Sequence, residues 1–427
     1  MKLRIEKAIY GGAGLARLER KAIFVPFALP GEWVDAHIVE EARSYATAEL
    51  DAVLEPSPSR VSAPCPFFGA CGGCQYQQAS YEAQTAMKAA ILRETLERAH
   101  LREIPEIAVV SGPPFEYRNR IRLHVQSNPF ALGYRRRNTH ALLPVTACPI
   151  AAPALQQGIE ALSRAGAKIG LGAWAREMDL FVNHDASALL LSIWTDRSAR
   201  DADRMLSEAW PRLQEILPAL VGTGVFAAEK DRGKTRLLAH CGEESLHYPV
   251  GEHAYRISLG SFFQVNRFLV ENLVVLVTQN QRGATAWDLY AGVGLFSLPL
   301  TRQFEEVVAV ESAPGSVRDL RDNLQGTRSR VVAADTAAFL RHAREQRRPP
   351  PDLVVVDPPR AGLGREVTSL LAAVNPRNVT YVSCDPATLS RDLAALLESG
   401  YRLRKLHLVD LFPQTFHLES VAHLSLD

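Results

Sequence analysis

The chain has 427 residues, 47% of them hydrophobic and 22% charged, which is typical of a globular protein with two or three domains and excludes a largely disordered or repetitive chain. Its 48 Lys and Arg nearly balance its 47 Asp and Glu, so any contact with nucleic acid must come from local basic patches. No apolar run approaches the ~20 residues that a membrane span needs, and we expect a cytoplasmic protein without a membrane partner.

The chain divides into three regions that differ in their predicted pattern of strands, helices and turns. Residues 1–57 alternate short strand patterns with Gly- and Pro-rich turns, which predicts a small β-barrel. Residues 58–255 start with a proline-rich linker and a helical pattern from residue 81 to 100, and then mix strands with helices, which predicts an α+β central domain. Residues 256–427 contain apolar strands without alternation, separated by helices, so we predict a doubly wound α/β domain.

Four of the six cysteines in the chain follow a metal-binding pattern. Cys65, Cys71 and Cys74 form a C-x5-C-x2-C run, and Cys148 precedes a proline, as the last ligand of an iron-sulfur site often does. Disulfides are disfavoured in a cytosolic protein, and zinc sites more often pair two CxxC motifs, although zinc remains the alternative. We therefore predict a [4Fe-4S] cluster on these four cysteines, in the central domain, and a structural role for Cys241.

A glycine turn and a series of acidic residues at strand ends predict a cofactor site in the third region. The strand that ends at Tyr290 leads into a turn with Gly292 and Gly294, where the backbone can approach a ligand. Glu311 ends the next strand, where it can bind ribose hydroxyls, and Asp335 ends the third. The spacing lacks the third glycine of NAD enzymes, so S-adenosylmethionine is favoured. Helix N-capping is the alternative role of each acidic residue.

Two further strand ends carry candidate catalytic groups. Asp357 begins an Asp-Pro-Pro-Arg turn, in which Arg360 replaces the aromatic residue of amino-group methyltransferases. Cys384 ends the following strand and precedes Asp385 and a proline. A lone cysteine is more often a buried apolar residue, but its place at the ligand edge of the sheet indicates catalysis. A thiolate that adds to C6 of uracil creates a carbanion at C5, which can then accept a methyl group.

The reaction also needs a base that removes the C5 proton after the methyl group has been transferred. The C-terminal segment offers Glu419, His417 and His423. We predict Glu419, because a carboxylate that faces a base pocket is otherwise costly to desolvate. A solvent-facing strand residue is the alternative role for Glu419.

These motifs together resemble the family of RNA uridine-5-methyltransferases over nearly the whole chain. The first region resembles the family's RNA-binding TRAM domain, which implies an OB-like β-barrel, and the cysteine run resembles its iron-sulfur segment. SLGSFFQVN, DLYAGVGLFSL, VVAVE, VVVDPPRAGL, VSCDPATLSRDL and FPQTFHLES resemble the remaining motifs in order. The resemblance implies a class I methyltransferase domain at the C-terminus, with Cys384 as nucleophile and Glu419 as proton acceptor. It also implies a set of cofactor or pocket contacts: Gln264, Tyr290, Glu311, Asp335 and Asp357.

The resemblance further implies RNA as the partner, with no obligate protein partner. Members with both a TRAM domain and a cluster resemble enzymes that act on 23S ribosomal RNA, although transfer RNA is the alternative. The target uridine would leave its stack to reach Cys384, and basic residues at 118–122 and 135–137 would hold phosphates. Two other functions stay open, namely methylation of an exocyclic amine and RNA binding by an inactive methyltransferase domain.

Overall fold

The computed structural model describes residues 1–227 and 236–426. Its N-terminal part is one six-stranded sheet in the order β1-β5-β6-β4-β3-β2. The strands are β1 (Lys2–Arg4), β2 (Lys7–Ala8), β3 (Ala13–Leu18), β4 (Lys21–Pro26), β5 (Trp33–Glu41) and β6 (Tyr45–Glu55). Register shifts between β5 and β6 increase the local twist, and the sheet curls over a small apolar core that includes Ile5, Val25 and Val34. Closure into an OB-like barrel stays a prediction.

The next two elements join the C-terminal sheet rather than the central one. Helix α1 (Tyr81–Arg98) begins at Ser80, whose hydroxyl accepts the Ala83 N–H, and it ends two residues before the predicted limit. Strand β7 (Ile107–Val110) pairs with a late strand of the chain, residues 406–409. Part of the predicted central region therefore packs with the C-terminal domain.

The central part is a seven-stranded sheet in the order β10-β9-β8-β11-β12-β13-β14, mostly antiparallel. Its elements are β8 (Arg120–Gln126), β9 (Ala131–Arg135), β10 (Leu142–Pro144), α2 (Pro153–Ile169), β11 (Ala175–Val182), β12 (Leu189–Thr195), α3 (Ala199–Ile216), β13 (Leu220–Ala227) and β14 (Leu237–Gly242). Helices α2 and α3 cover an apolar core that includes Leu155, Leu180 and Leu213. A hairpin of β15 (Ser245–Val250) and β16 (His253–Ser258) follows.

The C-terminal part is an eight-stranded sheet in the order β19-β18-β17-β20-β21-β23-β22-β7. Its elements are α4 (Val270–Thr278), β17 (Gly283–Leu289), α5 (Ser297–Leu300), β18 (Phe304–Glu311), α6 (Pro314–Asn323), β19 (Ser329–Ala333), α7 (Thr336–Glu345), β20 (Leu353–Val356), α8 (Gly364–Val374), β21 (Asn378–Ser383), α9 (Pro386–Glu398), β22 (Tyr401–Val409) and β23 (Ser420–Leu426). Strands β17 to β21 are parallel, and β23 runs antiparallel between β21 and β22.

Both faces of this C-terminal sheet are buried. Consecutive residues of β20 enter two different hydrophobic clusters, Val354 and Val356 the first and Leu353 and Val355 the second. This explains why apolar and polar residues do not alternate along β20. From β17 the sheet continues in one direction to β18 and β19 and in the other direction to β20 and β21. This change of direction creates a crevice at the carboxyl ends of the parallel strands. Among residues 1–227 and 236–426, no helix is both long and apolar enough to cross a membrane.

Candidate active site

The register of the parallel strands brings the predicted cofactor residues to one edge of the sheet. Leu289 of β17 is paired with Val310 of β18 on one side and with Val356 of β20 on the other. The residues that follow these strand ends are therefore neighbours along the edge. They are Tyr290, Glu311 and Asp357.

The glycine turn after β17 has the backbone geometry that its sequence predicts. Tyr290, Gly292 and Gly294 all have positive φ, at 65°, 56° and 93°. A side chain at Gly294 would clash, because an added Cβ would lie 2.8 Å from Leu320 Cδ1. The strained Tyr290 lies in the middle of the predicted cofactor edge, and such strain in a non-glycine residue is typical of functional sites.

The carboxylate of Glu311 holds this turn in place. Its Oε2 atom accepts the Gly292 N–H at 2.9 Å, and Oε1 accepts the N–H groups of Ser312 and Ala313, each at 2.7 Å. Each carboxylate oxygen has two lone-pair positions, so Oε2 keeps capacity for a ligand hydroxyl. Glu311 can therefore bind a ribose and fix the glycine turn at the same time.

Asp335 and Gln264 fit the prediction less directly. Asp335 Oδ1 caps α7 by accepting the Ala337 N–H at 2.9 Å, which is the role that the capping alternative describes. Gln264 is buried in the segment before α4, and its carbonyl oxygen accepts a hydrogen bond from Asn119 at 2.9 Å. Gln264 and Asp335 as cofactor contacts stay predictions.

One buried acid under the glycine turn was not predicted. Asp288 is fully buried, its Oδ2 accepts the Ser297 hydroxyl, and its Oδ1 has no hydrogen-bond partner among the residues that the structure describes. Burial raises the pKa of Asp288 to about 7, although the bond from Ser297 opposes the shift. An aspartate four residues before Gly292 was the available sequence signal for this residue.

The two predicted catalytic residues are neighbours across two antiparallel strands. Ser383 of β21 is paired with Ser420 of β23, and the Ser420 hydroxyl donates to the Ser383 carbonyl oxygen at 3.2 Å. Cys384 follows the one strand and Glu419 precedes the other, so the register places them side by side. Cys384 is half-buried and Glu419 is almost fully buried. Thiol and carboxyl group thus lie at the same edge as the glycine turn.

The electrostatics at this edge are dominated by burial and by neighbouring acids. Burial raises the pKa of Cys384 to about 12, with smaller contributions from Glu419 and Asp357. Burial, followed by the nearby Asp357, also raises the pKa of Glu419 well above its usual value. Burial raises the pKa of Asp357 to about 7. The guanidinium of Arg360 opposes the shifts of Cys384 and Glu419, which is a role that sequence reasoning missed.

The two rival bases differ in their distance from the thiol. His423 is paired with Thr380, four residues before Cys384 on β21, and its ring lies 5.5 Å from that of His407. A strand rises by about 3.3 Å per residue, so His423 is too far from Cys384 to take a proton from a uridine that is bound to this thiol. His417 lies two residues before Glu419, and its ring contacts the Nη2 atom of Arg360 at 3.3 Å, the guanidinium whose charge acts on Cys384 and Glu419.

The loop that delivers Glu419, residues 410–419, is anchored by helix α1 and by the segment that follows Cys74. The Lys88 ammonium of α1 donates to Asp410 Oδ1 at 2.6 Å, and both side chains are fully buried. The backbone N–H groups of Gln75 and Tyr76, next to Cys74, donate to the carbonyl oxygen of Gln414 at 2.9 and 3.0 Å. These contacts fix the course of the loop before it enters β23.

The four predicted metal ligands line one cavity of about 250 Å³. They are Cys65, Cys71, Cys74 and Cys148. All four are half-buried and free of disulfides. Burial raises the thiol pKa of the first three, to about 12 for Cys74. Within residues 1–227 and 236–426, no group of three or more His, Cys, Asp and Glu side chains is arranged to hold one metal ion.

The predicted basic patch at residues 118–122 is exposed only in part. Arg118 lines the cysteine cavity, and Asn119 is fully buried. Arg120 donates to the Ser261 carbonyl oxygen at 2.6 Å and stacks over Phe181. Arg122 is exposed. The stretch at 135–137 is more open, with two exposed arginines.

Comparison with known proteins supports the likeness seen in the motifs. Residues 1–50 match the family model of the TRAM domain, and residues 231–426 match that of tRNA (Uracil-5-)-methyltransferase. A 23S rRNA (uracil(1939)-C(5))-methyltransferase RlmD of Shewanella amazonensis is 33% identical over 98% of this chain and 94% of its own. The chain belongs to the RNA uracil-5-methyltransferase family. It is a S-adenosylmethionine-dependent RNA (uracil-5-)-methyltransferase.

Two further relatives of this methyltransferase extend over nearly the whole chain. A protein of Aquifex aeolicus described as an uncharacterized RNA methyltransferase is 35% identical over 99% of this chain and 98% of its own. The crystal structure of Pyrococcus abyssi tRNA (uracil-54, C5)-methyltransferase in complex with S-adenosyl-L-homocysteine superposes with a TM-score of 0.78. It is 24% identical and covers 99% of this chain and 100% of its own, so it supports the fold.

Proposed function

We propose that this methyltransferase modifies C5 of a uridine in 23S ribosomal RNA through a covalent bond between Cys384 and C6 of the base. The observation that supports the proposal is the strand register, in which Ser383, just before Cys384, is paired with Ser420, just after Glu419. Relatives that align over nearly the whole chain are named as 23S rRNA enzymes, which favours ribosomal over transfer RNA.

The first chemical step forms the S–C6 bond. The thiolate of Cys384 adds to C6, and the electrons of the C5–C6 double bond move into an enolate with carbanion character at C5. Burial holds most of the thiol in its protonated form, so a proton must leave Cys384 as the bond forms. Asp357, which lies close enough to act on the charge of Cys384, is the acceptor that we assign to this proton, and Arg360 favours the thiolate by its charge.

The second half of the reaction restores the aromatic base and releases the enzyme. Once C5 carries the methyl group, Glu419 removes the remaining C5 proton, the C5–C6 double bond forms again, and the C6–S bond breaks. Only an ionised Glu419 can accept this proton. The neighbouring Arg360 opposes the rise that burial causes in the pKa of Glu419, so its charge favours the ionised form.

S-adenosylmethionine would supply the methyl group as an electrophile, and S-adenosylhomocysteine would leave with the electron pair of the broken methyl–sulfur bond. We propose that the crevice beside the glycine turn holds this cofactor, because backbone N–H groups and acids converge there. The residues assigned to it are Gln264, Tyr290, Gly292, Gly294, Glu311, Asp335 and Asp357. Glu311 would orient the ribose, and Gly292 and Gly294 would let the backbone approach the methionine part.

We also assign a [4Fe-4S] cluster to the cysteine cavity. Four thiols around one half-buried cavity match the ligand set of a [4Fe-4S] cluster, and zinc stays the alternative. The ligands would be Cys65, Cys71, Cys74 and Cys148, and the cluster would tie the linker segment to β9 and the loop before α2.

Iron analysis tests this assignment. Protein purified without oxygen is expected to be brown and to contain about four iron atoms per chain. Cys74→Ser should lose most of this iron, whereas Cys241→Ser, which changes a cysteine outside the cavity, should keep it. Stoichiometric zinc without iron in the wild-type protein would contradict the cluster.

The domain roles follow from these assignments. We propose that residues 1–57 and 58–255 bind RNA, with contacts from arginines 135–137, and that residues 256–427 carry the chemistry. A cytoplasmic location and the absence of an obligate protein partner stay predictions. Transfer RNA remains the alternative substrate, because the similar Pyrococcus abyssi enzyme is named for a tRNA uridine.

Mapping of 5-methyluridine in total RNA distinguishes the two substrates. In a strain that lacks this gene, we expect one 5-methyluridine to disappear from 23S rRNA and the tRNA pattern to stay unchanged. Reintroduction of the wild-type gene should restore the modification, and Cys384→Ala should not. Loss of a tRNA 5-methyluridine, with intact 23S rRNA, would refute the ribosomal assignment.

A further inference from the structure

The N-terminal sheet reaches the catalytic edge through the segment from β2 to β3. Ala8 of β2 belongs to the hydrophobic cluster of the C-terminal sheet, and Tyr10 packs against the same cluster. Lys7 forms an ion pair with Glu94 of α1, which docks this segment from the other side. The turn between β2 and β3 is therefore part of the methyltransferase core, although it belongs to the N-terminal sheet.

Tyr10 contacts the turn that carries the nucleophile. Its hydroxyl donates to Asp385 Oδ2 at 3.2 Å and lies 3.5 Å from the Cys384 carbonyl oxygen. The other oxygen of Asp385, Oδ1, caps α9 by accepting the N–H groups of Ala387 at 3.0 Å and Thr388 at 2.9 Å. Both oxygens of the residue that follows Cys384 are thus held, one by α9 and one by the N-terminal sheet.

Tyr10 also contacts the loop that leads to the proposed base. Its ring meets Phe416 edge-on, with 5.4 Å between the ring centroids. Nearby, an added Cβ at Gly12 would lie 2.8 Å from Gln75 and 3.4 Å from Phe416, so this turn packs tightly on the same loop. Tyr10 is therefore in contact with both segments that carry the chemistry, the Cys384 turn and the loop before Glu419.

We propose that Tyr10 is a positioning residue for methyl transfer, which fixes the Cys384 turn through Asp385 and makes the N-terminal domain a part of the catalytic site. The inference rests on the proposed role of Cys384 as nucleophile. Burial and the nearby Asp385 raise the pKa of Tyr10, so its hydroxyl stays protonated and can donate. A phenylalanine would keep the ring contacts with Phe416, so the hydroxyl is the specific group that acts on Asp385.

The test is a double-mutant cycle on the rate of covalent adduct formation with RNA that contains 5-fluorouridine at the target position. Tyr10→Phe should slow adduct formation about fivefold at saturating RNA, as expected for the loss of one charge-assisted hydrogen bond. Asp385→Asn should slow it similarly, because asparagine still caps α9 but cannot accept the hydroxyl proton through its Nδ2. Together, the two changes should be no slower than Asp385→Asn alone. Tyr45→Phe, on an exposed tyrosine of the same sheet, is the matched control and should leave the rate unchanged.

Three results would overturn the positioning role of Tyr10. They are a wild-type rate in Tyr10→Phe, independent effects that multiply in the double variant, and a defect that disappears at saturating RNA because only affinity has changed. Thermal unfolding of each variant shows whether a slower rate comes from instability, and Asp385→Asn then tests the same bond from its other end. Adduct formation by Cys384→Ala would instead refute the proposed function itself, whereas a Cys384-dependent adduct with no effect of Tyr10→Phe refutes this inference alone.

Discussion

Cys384→Ala is expected to reduce methyl transfer by at least about a thousandfold, because the covalent activation of C5 has no substitute in the site. Asp357 and Glu419 can move protons but cannot add to C6 and later leave. The measurement is the transfer of a tritium-labelled methyl group from S-adenosylmethionine to unmodified ribosomal RNA. RNA affinity should change little, since the alanine removes only one sulfur atom at the edge of the sheet.

The matched control for this prediction is Cys241→Ala. Cys241 lies on β14 of the central sheet, and its loss should leave the rate of methyl transfer unchanged. Substantial activity in Cys384→Ala would contradict the role of Cys384 as nucleophile. It would favour the alternative function, methylation of an exocyclic amine by an enzyme of the same fold.

Glu419→Gln is expected to separate the two halves of the reaction. Glutamine keeps the shape of the side chain but cannot accept the C5 proton, so the covalent intermediate should form and then persist. We expect turnover to fall by about 10²- to 10⁴-fold, the usual contribution of a general base. The measurement compares the amount of protein-RNA adduct on denaturing gels with the amount of released methylated RNA.

Glu398→Gln controls for the loss of one carboxylate, because Glu398 is exposed at the end of α9. It should turn over like the wild type and accumulate no adduct. Full turnover in Glu419→Gln would transfer the role of base to His417, which contacts Arg360 near the same edge.

Much of the C-terminal domain could be predicted because its signals are local. Strands in which apolar and polar residues do not alternate, and the glycine turn, can be recognised from residues that are adjacent in the sequence. Strands β17 and β20 occur where apolar runs predicted them. Helix α1 ends at Arg98 rather than at residue 100, since a helical pattern does not by itself define where the last turn stops. Strand-end position also selected Cys384, whereas Glu419 was selected by the cost of desolvating a carboxylate in a base pocket. The pairing of β21 with β23 ends next to both residues, at Ser383 and Ser420.

The contacts that sequence reasoning missed join residues far apart in the chain. Tyr10 and Asp385 are separated by 375 positions, and Lys88 and Asp410 by 322. No local pattern encodes such pairings, because they depend on how whole domains dock. The same reason explains Arg118, which has the appearance of a surface residue in sequence but lines a cavity between elements. Strand β7 likewise joins the C-terminal sheet from within the predicted central region.

The covalent bond is tested most directly by mass spectrometry of the enzyme after reaction with S-adenosylmethionine and RNA that contains 5-fluorouridine. Fluorine at C5 cannot be removed as a proton, so the intermediate should be trapped. After digestion with nuclease and protease, the modified nucleotide is expected on the single peptide that contains Cys384. A trapped nucleotide on any other residue, or methylated RNA without any trapped protein, would contradict the account.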